Sequence, residues 1–193
     1  MEDKRYMPGY QALAMRTSSE GHDRVLNGCM GLVGETGEIV DVIKKWKFQS
    51  GDRADLPVDK IVEECGDVLW YCAEIMTGLD ANLELWYGNY VAVFGVVRNP
   101  DADMDIADLA LSISFAAHMP RRILENGTGR IRENLEPEDE RSAIWTVLTL
   151  MRSLETLLET HCACTMRECM EKNIEKLKKR YPDGFDPERS LNR

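Results

Sequence analysis

The sequence contains no run of 18 or more apolar residues, so it holds no segment that would cross a bilayer as a helix. Its opening stretch, Met1 to Met7, is charged and lacks the apolar core of a secretory leader, which makes the cytoplasm the expected location. Paired CxxC ligands are missing as well. The six cysteines are scattered through helix-like patterns, which favours reduced thiols over a disulfide framework. His161, Cys162, Cys164 and Cys169 lie near one another in sequence, yet structural zinc wants CxxC-type pairs and a second pair elsewhere. Excess positive charge is absent: 24 Lys and Arg face 34 Asp and Glu, a net charge of −10. A nucleic-acid surface needs clustered cations to meet phosphates, so neither nucleic acid nor membrane is an expected partner. An acidic protein can still act on a polyphosphate if a divalent cation stands between its carboxylates and the phosphates, because the ion reverses the local electrostatics.

What is present is the material of one domain. The 193 residues are 44% apolar and 30% charged, enough to bury a core without staples and too apolar for a disordered chain. Helical spacing recurs along the sequence. It predicts helices over 8–18 and 22–47, then a polar link from Gly51 to Leu56, then a helix that starts at Pro57 and ends at Gly78. Residues 81–98 hold Val91, Val93, Val96 and Val97, which favour a strand locally. No second strand pattern is available to pair with them, so a helix is expected, broken by Asn99-Pro100. Further helices are expected over 104–125, stopped by Asn126-Gly127, and over 137–160 and 164–181. The fold class is all-α: an antiparallel four-helix bundle core with additional helices inserted before the last core helix.

Two acidic pairs share one spacing. Glu35 and Glu38 sit three apart on the second helix, and Glu64 and Asp67 three apart on the next, so each pair projects from one face. The 25 residues between the pairs allow the two helices to pack antiparallel, which lets four carboxylates converge. Apolar neighbours (Leu32, Ile39, Val68, Leu69) put these acids at the edge of a buried stripe, where a cation is one natural compensation. Hard divalent ions take oxygen ligands. A shared two-metal centre, with ions near ~4 Å apart, requires the acid oxygens to lie within about 10 Å of one another. Acids three apart are also common on solvated helix faces. A di-iron bundle would need ExxH motifs, and none of His22, His118 and His161 stands in one. Gly31, Gly34, Gly37 and Gly66 beside the acids suit either close helix packing or room for a ligand. Lys44 and Lys45 follow the first pair at the helix end, where they would reach phosphate or complement the helix dipole. Trp46 and Trp70 fit core packing better than base stacking.

The blocks from Gly31 to Lys45, from Glu63 to Tyr71 and from Asn173 to Phe185, in that order, closely resemble the MazG-like nucleoside-triphosphate pyrophosphohydrolases. The resemblance covers about 8–80 and 165–190, within one domain spanning 1–193 whose core would be 8–80 and 161–185. It implies that Glu35, Glu38, Glu64 and Asp67 hold Mg²⁺, with Mn²⁺ as a substitute, and that one of the glutamates deprotonates the attacking water. It also implies that Asn173 and Lys176, with Arg180 along the same side of the helix, meet a nucleoside triphosphate, which is split to the monophosphate and pyrophosphate; Lys45, by its place after the first acid pair, joins them as a substrate-binding candidate. A homo-oligomer, dimer or tetramer, is expected on the same ground. Phosphoribosyl-ATP or a guanosine alarmone is the alternative substrate, and a catalytically silent helical scaffold or nucleotide-binding protein the alternative class. One departure from compact members is the segment 81–160, read as a helical insertion that adds a lid, an oligomer interface or base-selecting contacts. Within it Arg121, Arg122 and Arg130, near Gly127 and Gly129, would contact phosphate or face solvent.

Overall fold

Local chemistry sets the ends of the helices that matter most. Helix α2, Arg24–Gln49, starts where the Asp23 carboxylate accepts the Leu26 amide at 3.0 Å. Helix α3, Val58–Gly78, follows Pro57, whose fixed φ suits the start of a helix. The last helix, Met166–Arg180, opens on a reciprocal cap in which Thr165 and Glu168 each satisfy a backbone amide of the other. The structure, a computed structural model, describes residues 6–50, 55–94, 105–117 and 137–188. Within these the helices are α1 (Tyr10–Met15), α2, α3, α4 (Leu83–Phe94), α5 (Ile106–Ala117), α6 (Pro137–His161) and α7 (Met166–Arg180). No strand occurs among the described residues. The valine-rich stretch is helical through Phe94, with Val91 buried and Val93 exposed, so packing on one side overrides the local strand preference.

The seam between α2 and α3 is the most extensive helix contact. It is close because glycine faces bulk across it. A Cβ added at Gly28 would lie 2.3 Å from Ile75 Cγ1, and one added at Gly31 would lie 2.1 Å from Tyr71 Cε1. Both are far inside van der Waals contact. Gly34 and Gly37 differ: an added Cβ would meet nothing within 4 Å. Only part of the glycine pattern therefore serves packing.

Helix α3 also carries α1 and α7 on its flank, while α2 packs on α5, α5 on α6, and α6 on α3. The segment 81–160, read from sequence as an insertion around a bundle, thus contributes Leu109, Ile113, Val147, Leu154 and Leu157 to the same buried core. Residues 51–54, 95–100, Met104 and 118–136 lie outside the described residues, and with them Arg121, Arg122, Arg130, Gly127 and Gly129. No helix of the described residues is long and apolar enough to cross a membrane.

The seam has a simple stability signature. Gly28→Val should lower stability by about 1–3 kcal/mol through overpacking. Gly37→Ala should raise it by about 0.5–1 kcal/mol, because it adds helix propensity in open space. Thermal unfolding followed by circular dichroism checks the order, and a Gly28→Val protein that melts higher than the parent would contradict the seam.

Candidate functional site

With Gly31 facing Tyr71 across the seam, antiparallel register sets Glu35 opposite Asp67 and Glu38 opposite Glu64. Glu35, Glu64 and Asp67 each bring one carboxylate oxygen within 4.8 Å of the others. Octahedral Mg²⁺ with oxygens at about 2.1 Å needs neighbouring donors roughly 3 Å apart and opposite donors roughly 4.2 Å apart. The three oxygens lie close enough for small side-chain rotations to bring them onto one ion, and all are hard donors. The residues fit a divalent cation. Glu38, one turn beyond Glu35, is exposed and stands outside this ligand-distance group.

Carboxylates drawn out of water need partners, and both α3 acids have them. Glu64 is buried and takes the Lys60 ammonium at 2.6 Å, which holds the lysine above its ordinary range by that hydrogen bond. Asp67 accepts Lys176 on both oxygens at 2.6 Å and the Asn173 side-chain amide at 3.1 Å. Asn173 is buried and oriented in turn: its oxygen accepts the Tyr10 hydroxyl at 3.0 Å. Burial pushes the Tyr10 phenol well above its usual range, so it stays a neutral donor. Gly66 lets α7 come near, since an added Cβ would lie 3.0 Å from Asn173 Cβ. A chain of three helices, α1 to α7 to α3, therefore fixes one acid.

A cleft of about 210 Å³ opens beside these groups. Glu35, Asp67, Lys176 and Arg180 line it, as do Thr17, Ser19, His22 and Asn27. Asn27 and Glu35 are eight residues apart on α2, about 12 Å along the helix at ~1.5 Å per residue. Trp70, Tyr71, Tyr181 and Phe185 also line the cleft. The Trp70 indole N–H donates to the Ala14 carbonyl and the Thr17 hydroxyl, both at 3.0 Å, which pins the end of α1 beside the cleft. The Arg180 guanidinium lies 5.5 Å from the centre of the Tyr181 ring.

Asn173, Lys176 and Arg180 are thus brought to the acids, the last two as lining of the cleft. Lys45 is not. Its ammonium pairs with Asp41 at 2.5 Å on an exposed face, and ten residues beyond Glu35 it is about 15 Å further along α2. Lys44 shares the same Asp41. Trp46 and Trp70 both pack partly buried against the core, as expected, and Trp70 also lines the cleft. Sequence reasoning missed Tyr10, His22, Asn27 and Glu74. Only Glu74 left a signal, as a carboxylate inside the apolar run from Val68 to Met76 and seven residues after Asp67, hence on the same side of α3. Cys162, Cys164 and Cys169 are buried, and burial raises their thiols, that of Cys162 to about 11.

Residues 26–84 match the family model of the MazG nucleotide pyrophosphohydrolase domain. Over that segment the chain is similar to that domain. The segment holds nearly all of α2, all of α3 and all four paired acids. It is under a third of the sequence and leaves out the α7 residues that meet Asp67. The Gene 37 protein of Mycobacterium phage L5 is 42% identical over 52 residues, 26% of this chain and 46% of that protein, so the chain spans under half of this relative's length. No solved structure matches the chain significantly.

If the three carboxylates share an ion, removing charge from either helix α3 ligand must weaken it. Calorimetric titration with Mg²⁺ or Mn²⁺ should show Glu64→Gln and Asp67→Asn binding at least about tenfold more weakly than the parent, while Asp41→Asn, away from the cleft, binds normally. Equal affinity in all four proteins would refute the assignment.

Proposed function

We propose that the protein is a metal-dependent nucleotide pyrophosphohydrolase that cleaves a nucleoside triphosphate between its α- and β-phosphates, giving the monophosphate and pyrophosphate. The observation that carries this reading is the convergence of Glu35, Glu64 and Asp67 beside Lys176 and Arg180 in one cleft. The match to the pyrophosphohydrolase domain over the helices that hold those acids supports the reaction class.

Mg²⁺, with Mn²⁺ as a substitute, would be held by Glu35, Glu64 and Asp67 and would supply charge neutralisation and polarisation of the phosphate oxygens. The protein's own groups do the rest. Glu38, the one paired acid outside the ligand-distance group, accepts the proton of the attacking water. Lys176 bridges Asp67 and the phosphate chain, and together with Arg180 it stabilises charge on the departing pyrophosphate. Tyr10 and Asn173 hold Asp67 in one orientation, so little reorganisation is needed when substrate arrives.

A panel of ribo- and deoxyribonucleoside triphosphates, with phosphoribosyl-ATP and a guanosine alarmone included, should yield pyrophosphate from at least one compound in Mg²⁺. Glu38→Gln should lower kcat by about 100-fold or more while cation affinity stays within about twofold. Release of orthophosphate alone, or no product from any compound, would sink the proposal and leave a silent nucleotide-binding scaffold as the better reading.

A further inference from the structure

Glu74 is fully buried on α3, yet none of the proposed chemistry uses it. Its carboxylate accepts the Ser18 hydroxyl at 3.0 Å, Arg24 at 2.9 Å, His22 Nε2 at 2.6 Å and, at the long limit, the Asn27 amide at 3.5 Å. All four partners come from the connection between α1 and α2 or from the first turn of α2. Two of them, His22 and Asn27, line the cleft. A buried carboxylate thus gathers one short segment and fixes it at the cleft wall. The core gains nothing from this that an apolar residue would not supply more cheaply in desolvation.

The chemistry presented there is specific. His22 has both ring nitrogens engaged, Nε2 with Glu74 and Nδ1 with Ser19 at 2.9 Å, so what it offers a ligand is the flat carbon surface of its ring. Asn27 offers an amide, a donor and an acceptor on one planar group. A flat surface beside a donor–acceptor pair is what a nucleobase meets when it is stacked and read along one edge. The position agrees. Glu74 is seven residues from Asp67 on the same side of α3, about 10 Å at ~1.5 Å per residue, which is the reach from an α-phosphate to the far edge of a base.

We infer that the His22–Asn27 end of the cleft is the base-reading subsite, with Asn27 contacting the base edge and Glu74 as the positioning residue that holds both side chains in place. The inference rests on the proposed nucleotide reaction for its substrate but is tested separately from it. Binding of nucleoside monophosphates and of ribose 5-phosphate, which lacks a base, is measured by calorimetry in EDTA, and hydrolysis is measured across the triphosphate panel. The parent should bind its preferred monophosphate at least about tenfold more tightly than ribose 5-phosphate. Asn27→Ala should remove about tenfold of that difference, leave ribose 5-phosphate binding unchanged, raise KM with kcat within about twofold, and narrow the spread of kcat/KM among bases. Glu74→Gln, which keeps shape and loses charge, should narrow the spread in the same direction, and Asn27→Gln should restore part of it. Loss of kcat/KM by one common factor for every base, a change confined to ribose against deoxyribose, or a parent that binds both phosphates equally would each overturn the inference. A parent that discriminates among monophosphates but releases no pyrophosphate would keep the subsite and remove the reaction.

Discussion

The close approach of α2 to α3 is the constraint on which the site depends. Glycine at positions 28 and 31 leaves no room for a side chain against Ile75 and Tyr71, so the two helices meet nearly backbone to side chain. Antiparallel register then leaves no freedom in which acids face each other: Glu35 stands opposite Asp67 because Gly31 stands opposite Tyr71. A helix pair held a few ångström further apart would place the same acids on solvated faces, where each would be hydrated separately and no ion would be shared. Mutual repulsion among three carboxylates within 4.8 Å opposes the seam, and the apolar contacts of Cys29, Leu32, Leu69, Cys72 and Ile75 around it offset that cost.

Buried polar groups divide the cleft into two levels. Near the acids, Tyr10, Asn173 and Lys176 converge on Asp67. About two helical turns away, Ser18, His22 and Arg24 converge on Glu74. Both carboxylates sit on one side of α3, and both are satisfied by residues distant in sequence, so each pins a neighbouring element to that helix. Along α3 the cleft thus runs from the acids beside Lys176 and Arg180 to the His22 and Asn27 side chains gathered at Glu74. Another buried carboxylate, Glu155 of α6, accepts the Tyr87 hydroxyl of α4 and pairs with Arg152 of its own helix, apart from the cleft lining. It serves the packing of α4 on α6.

Much of the helical frame was legible because its signals are local. Pro57 and Gly78 mark helix ends by backbone preference alone, whereas the Asp23 cap and the Thr165–Glu168 pair came from the structure. The acid pairs were legible because a spacing of three on a helix fixes their face whatever the tertiary structure. The contribution of α5 and α6 to the core was not, since nothing local in an apolar helix says which neighbour it covers. Lys45 looked suited to phosphate from its place after the first acid pair, but helix rise carries it away from the cleft and Asp41 captures it. Tyr10 was invisible as a site residue because its partner, Asn173, lies 163 positions away. His22 and Asn27 belong to no motif and acquire meaning only once Glu74 draws them together.

Anomalous diffraction from crystals soaked in Mn²⁺ tests the shared centre most directly. The expected result is a peak within about 2.5 Å of oxygens from Glu35, Glu64 and Asp67 together. Manganese bound to a single helix, or no peak among these acids, would contradict the account.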